Sequence, residues 1–291
     1  MKIIFICGGI GNQLFQYAFA RKMQIMTGDV IKLDSKSFFK VFEEDTKEMD
    51  SRSFLLSSFN CLYEEASNSE INSIKSRYGI FSKIWRRINN KFVNNHYIIY
   101  DEDIFKMKGD KYLEGYWQSP KYFSDIRGLL LEELMLSVPF TQAALEYKNM
   151  ILERKSVSLH VRRGDYLSSR VLDRFGACSL SYYLSAIKSI KEKVEKPYFF
   201  IFSDDISWAI ENFNKLDGNF VFIKNEGLTD VDELVLMSLC QHNIIANSSF
   251  SWWAAWLNKN HEKQVIAPDP WFDKSLYDKD LIPRSWMKIQ K

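Results

Sequence analysis

From Val157 to Ala267 the chain alternates short apolar runs with amphipathic ones, and that alternation allows very few folds. Strands are expected at Val157–Val161, Tyr198–Phe202, Phe220–Ile223, Asn243–Ala246 and Gln264–Ala267. The runs between them, Leu180–Val194, Ser207–Asn214, Val231–Cys240 and Ser251–Leu257, have helical spacing. Strand-helix alternation over this length predicts a doubly wound parallel sheet. Right-handed crossovers then bring the loops after Val161, Phe202 and Ala246 to one edge. In open α/β sheets that carboxyl edge is where ligands bind.

Those loops carry the polar signals. The first is Arg162-Arg163-Gly164-Asp165, where a strand gives way to turn-forming residues. Arginine presents a planar, permanently charged fork of N–H donors suited to phosphate oxygens; an ordinary surface pairing with Asp165 is the alternative. The second is Ser203-Asp204-Asp205, and the third Asn247-Ser248-Ser249-Phe250-Ser251, which runs straight into Trp252-Trp253. Ser248, Ser249 and Ser251 therefore fall at a helix start, where hydroxyls and N–H groups attract anions, although a plain N-cap would also account for them. Convergence of three polar loops favours a nucleotide-phosphate site. Asp204 or Asp205 is expected to accept paired N–H bonds from a guanine edge, and His160 to hold base, ribose or phosphate. The tryptophans are expected in the core.

The N-terminal half opens as strand, glycine loop, helix, strand. Lys2–Cys7 is apolar, Gly8-Gly9-Ile10-Gly11-Asn12-Gln13 follows, a helical stripe from Leu14 ends at Gly28, and Asp29–Asp34 reads as the next strand. A dinucleotide fingerprint would need a third glycine where Leu14 stands, so NAD is disfavoured. Gly9, Gly11, Asn12 and Gln13 suit a sugar or phosphate better. Residues 35–110 are the least legible part. There Lys83, Arg86, Arg87 and Lys91 interleave with Ile84, Trp85, Ile88 and Phe92, which predicts a solvated helix face, with contact to an anionic membrane as the second reading. Three D-x-D matches, at Asp101, Asp230 and Asp278, follow no clean strand, so no metal site is expected. Tyr116, Trp117 and Gln118 lie in a dense aromatic stretch able to stack on and hydrogen-bond a sugar, or to pack in the core. Two domains are expected, 1–150 and 151–291, the last residues returning to the N-terminal domain.

Composition closes off other classes. With 46% apolar residues in 291, a substantial core is available, and a net charge of +2 argues against nucleic-acid binding. No apolar run reaches membrane-spanning length, and the first one is too short for a signal peptide. Four scattered cysteines without a CxxC pair indicate neither zinc nor disulfides. A soluble protein of a reducing, cytoplasmic compartment is the expectation.

Four segments in order, Gly8–Ala18, His160–Tyr166, Ser203–Asp205 and Asn247–Trp253, together resemble bacterial α-1,2-fucosyltransferases. The resemblance implies an α/β fold of GT-B type, with two Rossmann-like doubly wound domains facing across a cleft. It implies inverting transfer of fucose from GDP-fucose to a galactose-terminated acceptor, without a metal or other cofactor. Carried over by position, Arg162 would meet the donor β-phosphate, with Arg163 and Asp165 maintaining the loop. His160 and Asp204 would lie near guanine, Ser248–Ser251 near the phosphates, and the Gly8–Gln13 loop would close from the N-terminal side. The acceptor would sit mainly on that side, where Tyr116, Trp117 and Gln118 are candidates. An inverting transfer calls for a group to take the acceptor proton; Asp165, Asp34 and Glu114 are all conceivable.

Overall fold

Both halves of the chain build parallel sheets. The computed structural model describes residues 1–36, 53–76, 100–164, 176–272 and 279–291. Asp165, Lys83–Lys91 and Asp278, the first residue of the third D-x-D match, lie outside these. The described chain clusters into two units, Met1–Val138 with Lys279–Leu281, and Pro139–Asp278 with Ile282–Lys291.

In the first unit, β1 (Lys2–Phe5) leads through a glycine turn into α1 (Ile10–Thr27), followed by β2 (Ile31–Asp34). Then come β3 (Glu64–Glu65), α2 (Asn68–Ser76), β4 (Lys111–Leu113) and α3 (Arg127–Glu133). The four strands are parallel, in the order β3-β2-β1-β4. Leu14, Phe15, Ala18 and Phe19 of α1 are fully buried, as their helical spacing predicts. Gly8 turns the chain off β1 at a φ of 78°, and a Cβ there would sit 2.5 Å from Asn12 Nδ2. Only glycine fits that turn.

The second unit begins with α4 (Gln142–Leu152) and β5 (Ser156–Val161). It continues through α5 (Leu180–Lys191), β6 (Tyr198–Ser203), α6 (Ile206–Phe213), β7 (Asn219–Phe222) and α7 (Asp230–Leu239). Last come β8 (His242–Ile244), α8 (Ser249–Leu257), β9 (Val265–Asp269) and β10 (Met287–Gln290). All six strands are parallel, in the order β10-β9-β8-β5-β6-β7. β5 is buried along its whole length, and Val157, Leu159 and Val161 join Tyr182, Ile187, Phe199 and Ile201 in one core cluster. Covering by helices on both faces is what a parallel sheet requires. Asn243 Nδ2 donates to Ser158 Oγ at 2.7 Å and Asn258 Nδ2 to Asn243 Oδ1 at 2.8 Å, a buried network tying β5 to β8.

The division falls at Val138, ahead of residue 150, because α4 packs on α7 within the second unit. The final residues, expected on the N-terminal domain, divide: Lys279–Leu281 cluster with the first unit, whereas Met287–Gln290 form β10, paired with β9.

Candidate functional site

The second sheet reverses its order of connection at β5. From there the chain proceeds through β6 and β7 on one side, and through β8, β9 and β10 on the other. Its topological switch point is therefore between β5 and β8, where a crevice forms at the carboxyl edge. The loops ending β5 and β8 are those with the arginines and the serines.

Asp204, just past β6, organises the arginine loop. Its Oδ1 accepts the Arg163 N–H at 2.9 Å, and Oδ2 accepts the Gly164 N–H at 3.0 Å. Arg162 Nε approaches the same Oδ2 at 3.2 Å. Asp205 caps α6, accepting the Trp208 N–H at 3.1 Å, while its other oxygen lies 3.4 Å from Arg163 Nε. The Arg163 guanidinium also lies over the Trp208 ring, 4.2 Å from its centroid. Arg163 is thus a loop anchor, held on both an acid and an aromatic face, whereas Arg162 stays about one-third exposed at the edge. The expectation that Asp204 or Asp205 reads a guanine edge meets two carboxylates already engaged in shaping this loop.

His160 is the penultimate residue of β5. It is buried, its ring centroid is 5.6 Å from that of Phe250, and its Nδ1 has no hydrogen-bond partner. Burial, and secondarily the Arg162 charge, hold its pKa down to about 3, so the imidazole is neutral at physiological pH. A neutral ring can donate or accept one bond at that nitrogen.

The serines divide. Ser248 is the N-cap of α8, its hydroxyl accepting the Phe250 N–H at 3.3 Å, and Ser249 and Phe250 open the helix, both partly exposed. Ser251 points inward: it is buried and its hydroxyl donates to the Ala246 and Ser248 carbonyls. It supports the helix start. Asn247 holds the preceding loop by donating to Gly176 O at 2.8 Å and Trp271 O at 3.1 Å. Trp252, Trp253 and Trp256 are core residues, as expected.

Sequence reasoning missed Glu233. It lies one residue past Asp232, which closes a capping box with Thr229 and so explains the second D-x-D match as helix capping. Burial, together with Asp230, Asp204 and Asp232, pushes the Glu233 carboxyl up to about 7, while Arg162 opposes the shift. Only one signal marks it in the sequence, its place on the first turn of a helix after a strand. The first D-x-D match is also structural: Asp101 accepts the Asp103 N–H and Asp103 pairs with Lys106.

The first unit has its own switch point, between β1 and β4. Here the glycine loop meets the aromatic stretch, with Gln118 Nε2 donating to Asn12 Oδ1 at 2.8 Å. Gly9 is the N-cap of α1, and Gly11 is buried in its first turn. Gln13 is not a ligand contact: fully buried, it donates to the Gly8 and Ser53 carbonyls and accepts the Leu55 N–H. Trp117 is corrected likewise. It is buried and stacked on Phe19 at 4.1 Å, leaving Tyr116 and Gln118 partly exposed beside it. Burial raises the Cys7 thiol pKa, with Gln16, Tyr116 and Glu114 as its polar neighbours. Glu114 therefore lies at this edge, partly exposed, whereas Asp34 is fully buried and accepts the Tyr112 hydroxyl at 2.6 Å.

Comparison with known proteins covers nearly the whole chain. The family model described as Glycosyl transferase family 11 matches residues 1–290. An α-1,2-colitosyltransferase of Escherichia coli is 32% identical, over 98% of this chain and 98% of its own. The E. coli O-antigen biosynthesis glycosyltransferase WbnK is 30% identical, over 98% of this chain and 99% of its own. A galactoside α-(1,2)-fucosyltransferase 1 of Rattus norvegicus is 34% identical, over 48% of this chain and 38% of its own. Among solved structures, that of NodZ α-1,6-fucosyltransferase soaked with GDP-fucose aligns with a TM-score of 0.52 at 13% identity, over 88% of this chain and 92% of that one. The shared fold is α/β of the GT-B type.

Proposed function

The chain belongs to glycosyl transferase family 11, and from that premise we propose that it transfers L-fucose from GDP-fucose to the 2-hydroxyl of a terminal β-galactoside with inversion. One observation carries the donor half of this reading: Arg162, held by Asp204, stands at the β5/β8 switch point with the start of α8. As the anomeric carbon becomes oxocarbenium-like, negative charge builds on the departing β-phosphate. A fixed guanidinium and helix N–H groups stabilise that charge more in the transition state than in the ground state. Arginine then does electrostatically what a divalent ion does in other transferases.

A second donor is favoured by a specific likeness. Colitose is fucose without its 3-hydroxyl, and the relative named for it is 32% identical over nearly its whole length. Both sugars require the same diphosphate site and differ in one hydroxyl contact. The names of both E. coli relatives fit a product that enters a bacterial surface polysaccharide, and a cytoplasmic enzyme working at the inner membrane face suits that pathway. Among the described residues no helix is long and apolar enough to cross a membrane.

The deciding experiment offers GDP-fucose, GDP-colitose and a UDP-sugar to the protein with a panel of galactosides. Fucosyl product from the wild-type protein, lost by roughly a thousandfold in Arg162→Ala with the circular dichroism spectrum unchanged, is the expected result. Preference for the colitosyl donor would select the second reading. Nucleotide binding without product on any galactoside would indicate a binding protein, and near-wild-type turnover by Arg162→Ala would remove that residue from the mechanism.

A further inference from the structure

The switch point of the first sheet, between β1 and β4, carries a carboxylate that the donor site does not use. Glu114 follows directly on β4. Leu113, Gly115 and Trp117 are buried, and Glu114, Tyr116 and Gln118 between them are partly exposed. The chain here is fixed from several sides. Gln16, fully buried, accepts the Cys7 N–H at 3.0 Å and donates to Gly115 O at 3.0 Å, joining the chain past β1 to the chain past β4. Trp117 holds a left-handed φ of 53°, uncommon for so large a residue, while stacked on Phe19. A Cβ at Gly115 would stand 2.8 Å from the Trp117 ring, so the two residues fit only as they are. Backbone strain of this kind persists where the surroundings over-determine it, and it gathers at functional sites.

Among the described residues, three carboxylates stand at the carboxyl ends of these strands: Asp34, Glu65 and Glu114. Asp34 is fully buried and accepts the Tyr112 hydroxyl. Glu65 accepts the Ser35 hydroxyl at 3.0 Å on the edge strand β3, with β2 between it and β1. Only Glu114 is both accessible and at the switch point, where open α/β sheets bind their ligands. We infer that Glu114 is the general base of the transfer, taking the proton of the acceptor 2-hydroxyl. This rests on the transferase reading above and supplies the half of the chemistry that Arg162 does not. In an inverting displacement the acceptor oxygen bonds to the anomeric carbon while the bond from that carbon to the β-phosphate oxygen breaks, its electron pair leaving with GDP. The hydroxyl proton passes to the Glu114 carboxylate, and from there to water once the product leaves. Arg162 and the α8 start serve the leaving group; Glu114 serves the nucleophile.

The test follows fucosyl product from GDP-fucose and a galactoside, with titration calorimetry of GDP, for the wild-type protein, Glu114→Gln and Glu114→Asp. Glu114→Gln should lower kcat by about a hundredfold or more, the usual contribution of a general base, with GDP affinity and the KM for the galactoside unchanged. Glu114→Asp keeps the base on a shorter arm and should recover part of that loss, which a residue that only fills space would not. A rise in KM at unchanged kcat would overturn the inference, since it would make Glu114 a group that binds the acceptor. So would near-wild-type kcat in Glu114→Gln, and so would loss of GDP binding in both variants, which would put Glu114 in the scaffold. If the wild-type protein transferred no sugar from GDP-fucose or GDP-colitose, the functional reading itself would fall and this inference with it.

Discussion

Two titratable side chains at the β5/β8 edge are displaced in opposite directions by one cause. His160 is held down to about 3, and Glu233 up to about 7, because burial penalises whichever form is charged. Their effects on stability are opposite in sign with pH. Below about 6.5 the unfolded chain takes up a proton that native His160 refuses, so stability falls as the pH drops, and this loss is complete near pH 3. Between 4.5 and about 7 native Glu233 keeps a proton that the unfolded chain has released, so its contribution is lost as pH rises through that window. The charged groups facing Glu233 are Asp230 and Asp232 on α7, Asp204 after β6 and Arg162 after β5. Replacing Glu233 with Gln should therefore leave urea stability unchanged near pH 4 and raise it by about 1–3 kcal/mol at pH 8, discounted for partial exposure. Replacing His160 with Gln should flatten the acid limb below pH 6.5. Identical urea midpoints at pH 8 would show that the carboxyl is not strained there.

The element that decides the site is the loop leaving β5. Three donors converge on one Asp204 carboxylate, two of them backbone N–H groups that no side-chain change can replace. A Cβ at Gly164 would stand 2.9 Å from Asp204 Oδ2, inside any normal contact, so Gly164→Ala must push the carboxylate away. Asp204→Ala removes it outright and leaves the N–H groups to water. Both variants should lose about 1–3 kcal/mol of stability and weaken GDP binding through Arg162, which would no longer be held in one position. The check is calorimetric: full GDP affinity in both variants would mean that Arg162 needs no such support. At this scale the sequence was uneven. β5 and β6 were legible because strands buried on both faces read as apolar runs. β3, β4 and β10 are two to four residues long and polar or edge-placed, so no period could show them. Trp117 and Gln13 carried side chains suited to a ligand, and only packing revealed that both point into the first unit.

For the molecule as a whole, the two parallel sheets each place their polar loops at a switch point, and the chemistry follows from which charges stand there. Transfer is expected to persist in excess EDTA, measured as fucosyl product over time, since fixed arginine and helix N–H groups are present before any ion arrives. Activity abolished by EDTA and restored by magnesium would place a cation in the mechanism instead. The sequence by itself determined the class of fold, the common sheet edge of the arginine, aspartate and serine loops, and the resemblance to the family. It did so because hydrophobic periodicity and short turn motifs are local, and local patterns survive in one dimension. What each side chain does was decided by tertiary structure alone. Asp204 and Glu233 are alike as carboxylates in the chain. One became the clamp of a loop and the other a carboxyl of raised pKa only when β5, β6 and α7 brought donors to the first and buried the second among acids.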